Sequence, residues 1–143
     1  MTRRMRKQDW QERCKHLANA RAYLATARAD KSQRDQLDLA IWSAWTFGEF
    51  AVNVCLELRG EDAEIHHEQA TRAADLFALD YLQRDYSKTL EQLREYRLRA
   101  DYGPYSKGSA STHYSPKNVE DCLDDMDRLR DEVEALLREQ GRL

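Results

Sequence analysis

Apolar positions along this chain recur at intervals of three and four residues, and glycine or proline breaks the rhythm at only a few places. From about Asp9 to Ala29, Trp10, Cys14, Leu17, Leu24 and Ala27 share one face while Lys15, Arg21 and Arg28 fall on others, which predicts a first amphipathic helix. The polar break "ADKSQRD" follows, with Ser32 as a candidate N-cap. A second helix, predicted from about Gln33 to Arg59, has a different character. Leu37, Ile41, Trp42, Trp45, Phe47, Phe50, Val52, Val54, Cys55 and Leu58 surround most of its circumference. A helix apolar on nearly all sides lies at the centre of a bundle or also feeds an oligomer interface. Within it Ala44, Gly48 and Ala51 are small residues at helical spacing. Glycine costs about 1 kcal/mol against alanine in a helix interior, so a close-packed neighbour is expected there. Gly60 stands where a helix stop is needed.

A short third helix is predicted over about Ile65 to Leu79, with Ala70, Ala73, Ala74 and Phe77 facing inward. A fourth, about Asp85 to Tyr102, carries Tyr86, Leu90, Leu93 and Ala100 on one stripe. "GPYSKGSASTHYSP", Gly103 to Pro116, then reads as a long loop, and loops of that length in small domains are functional or mobile. Ser115 and Pro116 form an N-cap and first-turn proline for the last helix. Its stripe Val119, Cys122, Met126, Leu129, Val133 and Leu136 follows a 3-4-3-4-3 spacing, as in a coiled-coil seam, and Gly141 ends it. The opposite face, "EDCLDDMD", is acidic and expected to be exposed.

Five helices and no strand pattern predict an all-α, up-down helical bundle. The length of 143 residues suits one domain spanning 1–143, with a basic tail over 1–8 and the long loop over 103–116. Composition agrees, since glycine and proline number only five and two and 34% of residues are charged. A net charge of −3 argues against a protein that coats nucleic acid through a broad basic face, and leaves room for a local basic cleft. "MTRRMRK" is basic but leads into "QDWQERCKHL" without an apolar core, so no secretory signal is expected. No unbroken apolar run reaches the roughly 18 residues of a membrane span, so no membrane association is expected. Cys14, Cys55 and Cys122 are far apart on apolar stripes and read as reduced core thiols, which points to the cytoplasm.

Glu64 and His67 have the spacing of half a di-metal carboxylate site, but no second Glu-x-x-His pair exists, so neither metal nor other cofactor is expected. Cys14 and His16 point to different helix faces, and no glycine-rich phosphate loop follows a strand. The stretch that carries chemistry is "REYRLRADYG", Arg94 to Gly103. The stripe Tyr86, Leu90, Leu93 continues to position 97, where an apolar residue is due and arginine stands. Such an arginine must reach water or find a partner, because an unpaired buried charge is costly. Asp101, four residues on, is the local candidate, while Arg94 and Arg99 fall on faces that solvent reaches.

With its alanine- and aromatic-rich second helix, "LAIWSAWTFGEFAVNVCLEL", and "YRLRADYG" closing the fourth, the chain resembles HEPN (higher eukaryotes and prokaryotes nucleotide-binding) domains from about Trp10 to Leu137. The resemblance implies a bundle of four to five helices that commonly dimerises. In nuclease members an arginine and a histidine, separated by four to six residues, meet across the two-fold axis and cut RNA without metal. Arginine holds phosphate there and histidine moves a proton near neutral pH. This chain departs from that motif, for Tyr102 stands where a histidine after Arg97 would. Tyrosine, with an ordinary pKa of about 10, is a poor base at neutral pH. The resemblance therefore implies an RNA- or nucleotide-binding protein of a prokaryotic toxin–antitoxin or phage-defence system, not primarily an enzyme. Its binding residues are expected to be Arg94, Arg97, Arg99, Tyr102, Tyr105 and Lys107. The alternatives are a metal-independent ribonuclease using Arg97 with Asp101, Tyr102 or His113, and a non-catalytic module docking on another protein. Expected partners are a second copy of the chain, RNA or a nucleotide, and a nucleotidyltransferase or antitoxin. Tyr102 and Tyr105 lie near where some members carry a tyrosine that a partner enzyme modifies.

Overall fold

The most apolar stretch of the chain occupies the centre of the computed structural model, which describes residues 6–33, 35–61, 69–102 and 114–143, the side chains of 99–102 excepted. Among the described residues five α-helices follow one another: α1 Lys7–Ala29, α2 Gln36–Leu58, α3 Gln69–Ala78, α4 Ser87–Tyr102 and α5 Pro116–Glu139, with a 3-10 turn at Lys31–Gln33. Helix α2 packs against α1, α4, α5 and α3, α5 also closes on α1, and α3 rides on α4. The protein is thus an all-α helical bundle, as the periodicity predicts.

Helix α2 can be central because few of its positions are polar, and its inner residues from Leu37 to Leu56 are almost wholly buried. By length and composition it could also cross a bilayer, which a search for unbroken apolar runs does not reveal. Two-thirds of that window is instead covered by the other helices (67% buried), which makes it the core helix of this bundle. Gly48 lies where α4 and α5 both close in. A Cβ there would sit 2.6 Å from Leu90 Cδ2 and 3.0 Å from Met126 Sδ, so the methyl-free backbone is what lets the three helices meet. On the other side Trp10 of α1 stacks near Phe47 and Phe50, with ring centroids 5.7 and 6.1 Å away.

The caps follow the sequence signals. The Ser115 hydroxyl accepts from the Asn118 amide 3.1 Å away at the start of α5, with Pro116 in the first turn. Gly60 and Gly141 take positive φ values of 75° and 65° after α2 and α5, a conformation that glycine adopts without strain.

Several expectations need correction. Ser32 does not cap α2; its amide and hydroxyl both donate to Asp30, within a separate turn, and Asp35 precedes the helix. Helix α1 begins at Lys7, two residues before its expected start, and the Asp9 carboxylate accepts from the Arg6 amide and guanidinium. The third helix turns a different stripe inward: Gln69, Ala73 and Leu76 are buried, whereas Phe77 is 42% exposed. Residues 65–68 at its expected start lie outside the described residues. At the end of α5 the buried residue is Leu137, with Leu136 only partly covered. A 3.6-residue helix drifts off a 3.5-residue repeat, so the seam advances by one position after Val133.

The acidic face of α5 is not simply solvated. Arg21 of α1 donates to Asp124 at 2.8 Å and to Asp127 at 2.5 Å, and Arg28 pairs with Glu120. Thr89 donates to Asp125, and Tyr86 and the Gln83 amide both donate to Glu132. These carboxylates fasten α1 and the start of α4 onto α5.

Candidate functional site

Arg97 sits on the core stripe of α4, and the fold accommodates it with an aromatic ring. Its guanidinium carbon lies 4.0 Å from the centroid of the Trp45 indole on α2. Trp is the strongest of the aromatic partners for a cation, and such contacts contribute about 0.5–2 kcal/mol depending on desolvation. The ring thus gives the guanidinium a partner on the core side of α4. Arg94, one turn earlier and exposed, lines a small pocket together with the same Trp45, and with Glu49, Gln69, Leu90 and Glu91. Trp45 therefore faces Arg97 and also lines the pocket that Arg94 borders. Leu98, four residues beyond Arg94 on the same flank of α4, is 40% exposed, and on α2 Leu39 and Trp42 are 43% and 46% exposed. The lining of the pocket thus mixes one arginine with two glutamates and an indole, and exposed apolar side chains stand elsewhere on α2 and α4.

Beneath the end of α4 a polar relay ties the helix to its neighbours. Gln92 Nε2 donates to the Tyr96 hydroxyl at 2.8 Å, and the Tyr96 ring packs 4.9 Å from that of Tyr114. The Tyr114 hydroxyl donates to the Asp38 carboxylate on α2. This relay holds α4 at Tyr96 beside Tyr114, just before the start of α5.

The family model for the HEPN domain matches residues 15–136, which covers α2, α3 and α4 whole and most of α1 and α5. The chain belongs to the HEPN domain family. Membership indicates a nucleotide- or RNA-related function in general, and HEPN domains commonly dimerise. Comparisons with curated proteins and with solved structures return no match.

Within this HEPN domain, Arg97 lies over Trp45 and Arg94 lines a pocket that includes the same tryptophan. The backbone of Arg99, Asp101 and Tyr102 completes α4, and their side chains lie outside the described residues, as do Tyr105, Lys107 and His113 entirely. Glu64 and His67 fall outside them too, and among the described residues no three His, Cys, Asp or Glu side chains cluster closely enough to hold a metal. The thiols have the character of core groups. Burial pushes Cys55 and Cys122 up to about 12, with carboxylates nearby adding to the effect, and burial followed by Glu134 takes Cys14 to about 11. A thiol so raised is almost wholly protonated at neutral pH and is a poor nucleophile. His16, edge-on to Trp42, is held below its ordinary value by burial and then by Arg13.

Sequence reasoning missed Trp45, Glu49 and Gln69 as parts of this site. Two signals were available. An arginine on an apolar stripe calls for an aromatic or acidic partner, and Glu49 is a carboxylate inside the run "FGEFAV", four residues after Trp45. Gln69 carried no such signal, because glutamine on a short helix is ordinarily solvated.

Proposed function

We propose that this HEPN domain binds RNA or a nucleotide on the Arg94/Arg97/Trp45 face, as a homodimer, with Arg99, Tyr102, Tyr105 and Lys107 extending the surface. The observation that carries this reading is the Arg97 guanidinium 4.0 Å from the Trp45 ring centroid, with Arg94 lining a pocket that includes the same tryptophan. A planar, permanently charged fork beside an aromatic face matches a phosphate and a base at once. In a chain of net charge −3, Arg94 and Arg97 would offer phosphate a local cationic site and not a general basic coat. The exposed Leu39, Trp42 and Leu98 on α2 and α4 support a second copy docking there. Tyr102 at the place of the motif histidine favours binding over cleavage. Family membership is what supports a setting in a cytoplasmic toxin–antitoxin or phage-defence pair, with a nucleotidyltransferase or antitoxin as partner.

The test is retention of tRNA and mRNA by the purified protein in EDTA, from about 50 to 200 mM salt. Retention should weaken steeply with salt, and R94A/R97A should bind about tenfold or more weakly while the RNA stays intact. Retention unchanged in the folded double variant would overturn the reading. Cleavage in EDTA that disappears in R97A would replace it with a ribonuclease.

A further inference from the structure

Where α2 and α3 end, a second hollow opens that shares no lining residue with the Trp45 pocket. Its volume is about 270 Å³. A cavity of roughly 150 Å³ accepts a benzene ring, so this one has room for a leucine or phenylalanine side chain and some of the backbone that carries it. Leu56 and Leu76 form its buried apolar floor, and Leu79, 59% exposed, stands at its edge. Phe77 is exposed as well, so two large apolar side chains meet water within one turn. That edge is fixed, not frayed. The Leu79 amide donates to the Asp75 carbonyl, the Asp80 amide to that of Phe77 and the Tyr81 amide to that of Leu76, at 3.0, 3.0 and 2.9 Å. Asp80 closes the helix at a φ of 57°, a left-handed conformation that aspartate tolerates better than most residues. A surface already ordered in this way loses little further entropy when it is covered.

The charges around the hollow select what can cover it. Glu61, Arg72 and Asp75 line it. Arg72 donates to Glu61 at 2.6 Å, and Glu61 also accepts from Arg59 at 2.9 Å, so these charges answer one another. Asp75 is exposed and, among the described residues, takes part in no ion pair, and the same holds of Asp80 just beyond Leu79. The unbalanced charge is therefore negative. It repels the phosphates of RNA or of an acidic lipid surface and attracts a cation. Two copies of such a hollow also repel each other, so a second copy of the chain could not close on it about a two-fold axis.

We propose that this hollow is the docking site of a different protein, which lays a leucine or phenylalanine side chain over Leu56 and Leu76 and sets a lysine or arginine against Asp75. The proposal uses neither Trp45 nor Arg94 nor Arg97, so it stands or falls apart from the RNA-binding reading.

NMR of the full chain with labelled leucine methyls tests it. The probes are short capped helical peptides, identical except for lysine, glutamine or glutamate one turn from a single leucine. The lysine peptide should shift the methyls of Leu56, Leu76 and Leu79 and bind about threefold more tightly than the glutamine peptide, with the glutamate peptide weakest. Salt at about 0.5 M should bring the three together. Replacing the peptide's leucine by serine should abolish the shifts. Asp75→Lys should reverse the order of the peptides, and Leu79→Ser should weaken all three. Both side chains are exposed, so the helical circular dichroism signal should be kept, and the peptide series itself needs no variant. Equal affinity for the three peptides, or shifts at Leu39 and Leu98 and not at the hollow, would overturn the proposal. Displacement of the lysine peptide by a uridine oligonucleotide would also overturn it and make the hollow part of the RNA surface. Self-association of the chain that Leu79→Ser abolishes would overturn it in favour of an interface between copies.

Discussion

Glu132 shows how much a single side chain can hold when its partner is buried. Its carboxylate accepts from the Tyr86 hydroxyl and from the Gln83 amide, and the Tyr86 ring is only 1% exposed. Burial, reinforced by the hydrogen bond to Glu132, raises the Tyr86 phenol well above its ordinary value, so it stays a donor throughout the physiological range. Glu132→Ala should therefore leave a buried hydroxyl without this acceptor and cost about 1–3 kcal/mol in urea unfolding. Removing both groups, as in Tyr86→Phe with Glu132→Ala, should recover part of that loss, since two apolar replacements leave no orphan at Tyr86. A double-mutant cycle with no coupling between these positions would refute the account. Gly48 is the apolar counterpart, for there the missing Cβ and not a bond sets the helix spacing. Its packing role was legible in sequence, because a glycine in a helix interior needs such a reason. Which residues would fill the space, Leu90 and Met126, was not.

Helix α5 combines a local start signal with distant attachments. The Ser115 cap and Pro116 act within one turn of chain and form whatever the rest of the molecule does. Ser115→Ala should lower stability by about 1 kcal/mol and increase amide exchange in the first turn of α5, while leaving its C-terminal half unchanged. The attachments are of another kind. Arg21 reaches Asp124 and Asp127 across more than a hundred residues of sequence, with |i−j| of 103 and 106. Its side chain is 37% exposed, so salt screens these pairs and they orient α1 on α5 more than they stabilise it. Periodicity placed α5 as a helix and its inner stripe within one position of the observed one. It could not show that the acidic outer face would be taken up by α1, because helix register does not reveal a neighbour's charges.

Across the whole molecule, the titrating core groups give the bundle a common pH dependence. Cys14, Cys55 and Cys122 rise from 9.0 to about 11, 12 and 12, and Tyr86 rises from 10.0 in the same sense. Each is neutral when protonated and gives up its proton more readily in the unfolded chain. The unfolded state therefore binds fewer protons above about pH 9, and stability falls as pH rises from there through about 11–12. Urea unfolding at pH 8 and near pH 10.5 should show a clear loss at the higher value. Replacing the three cysteines by alanine should make that loss shallower. An unchanged slope would mean that the thiols ionise equally well in the folded protein.

The sequence by itself determined the five helices, their caps at Ser115, Gly60 and Gly141, and the centrality of α2, because each depends on residues within a few turns of one another. It also singled out Arg97 as a charge on an apolar stripe. Only the tertiary structure decided that Trp45 lies under that guanidinium, and that Arg94, Gln69 and Glu49 line one pocket with it. Those contacts join α2, α3 and α4, and no local pattern encodes which rotation of one helix faces which residue of another. The packing of Gly48 against Leu90 and Met126 helps set that rotation, and with it the site.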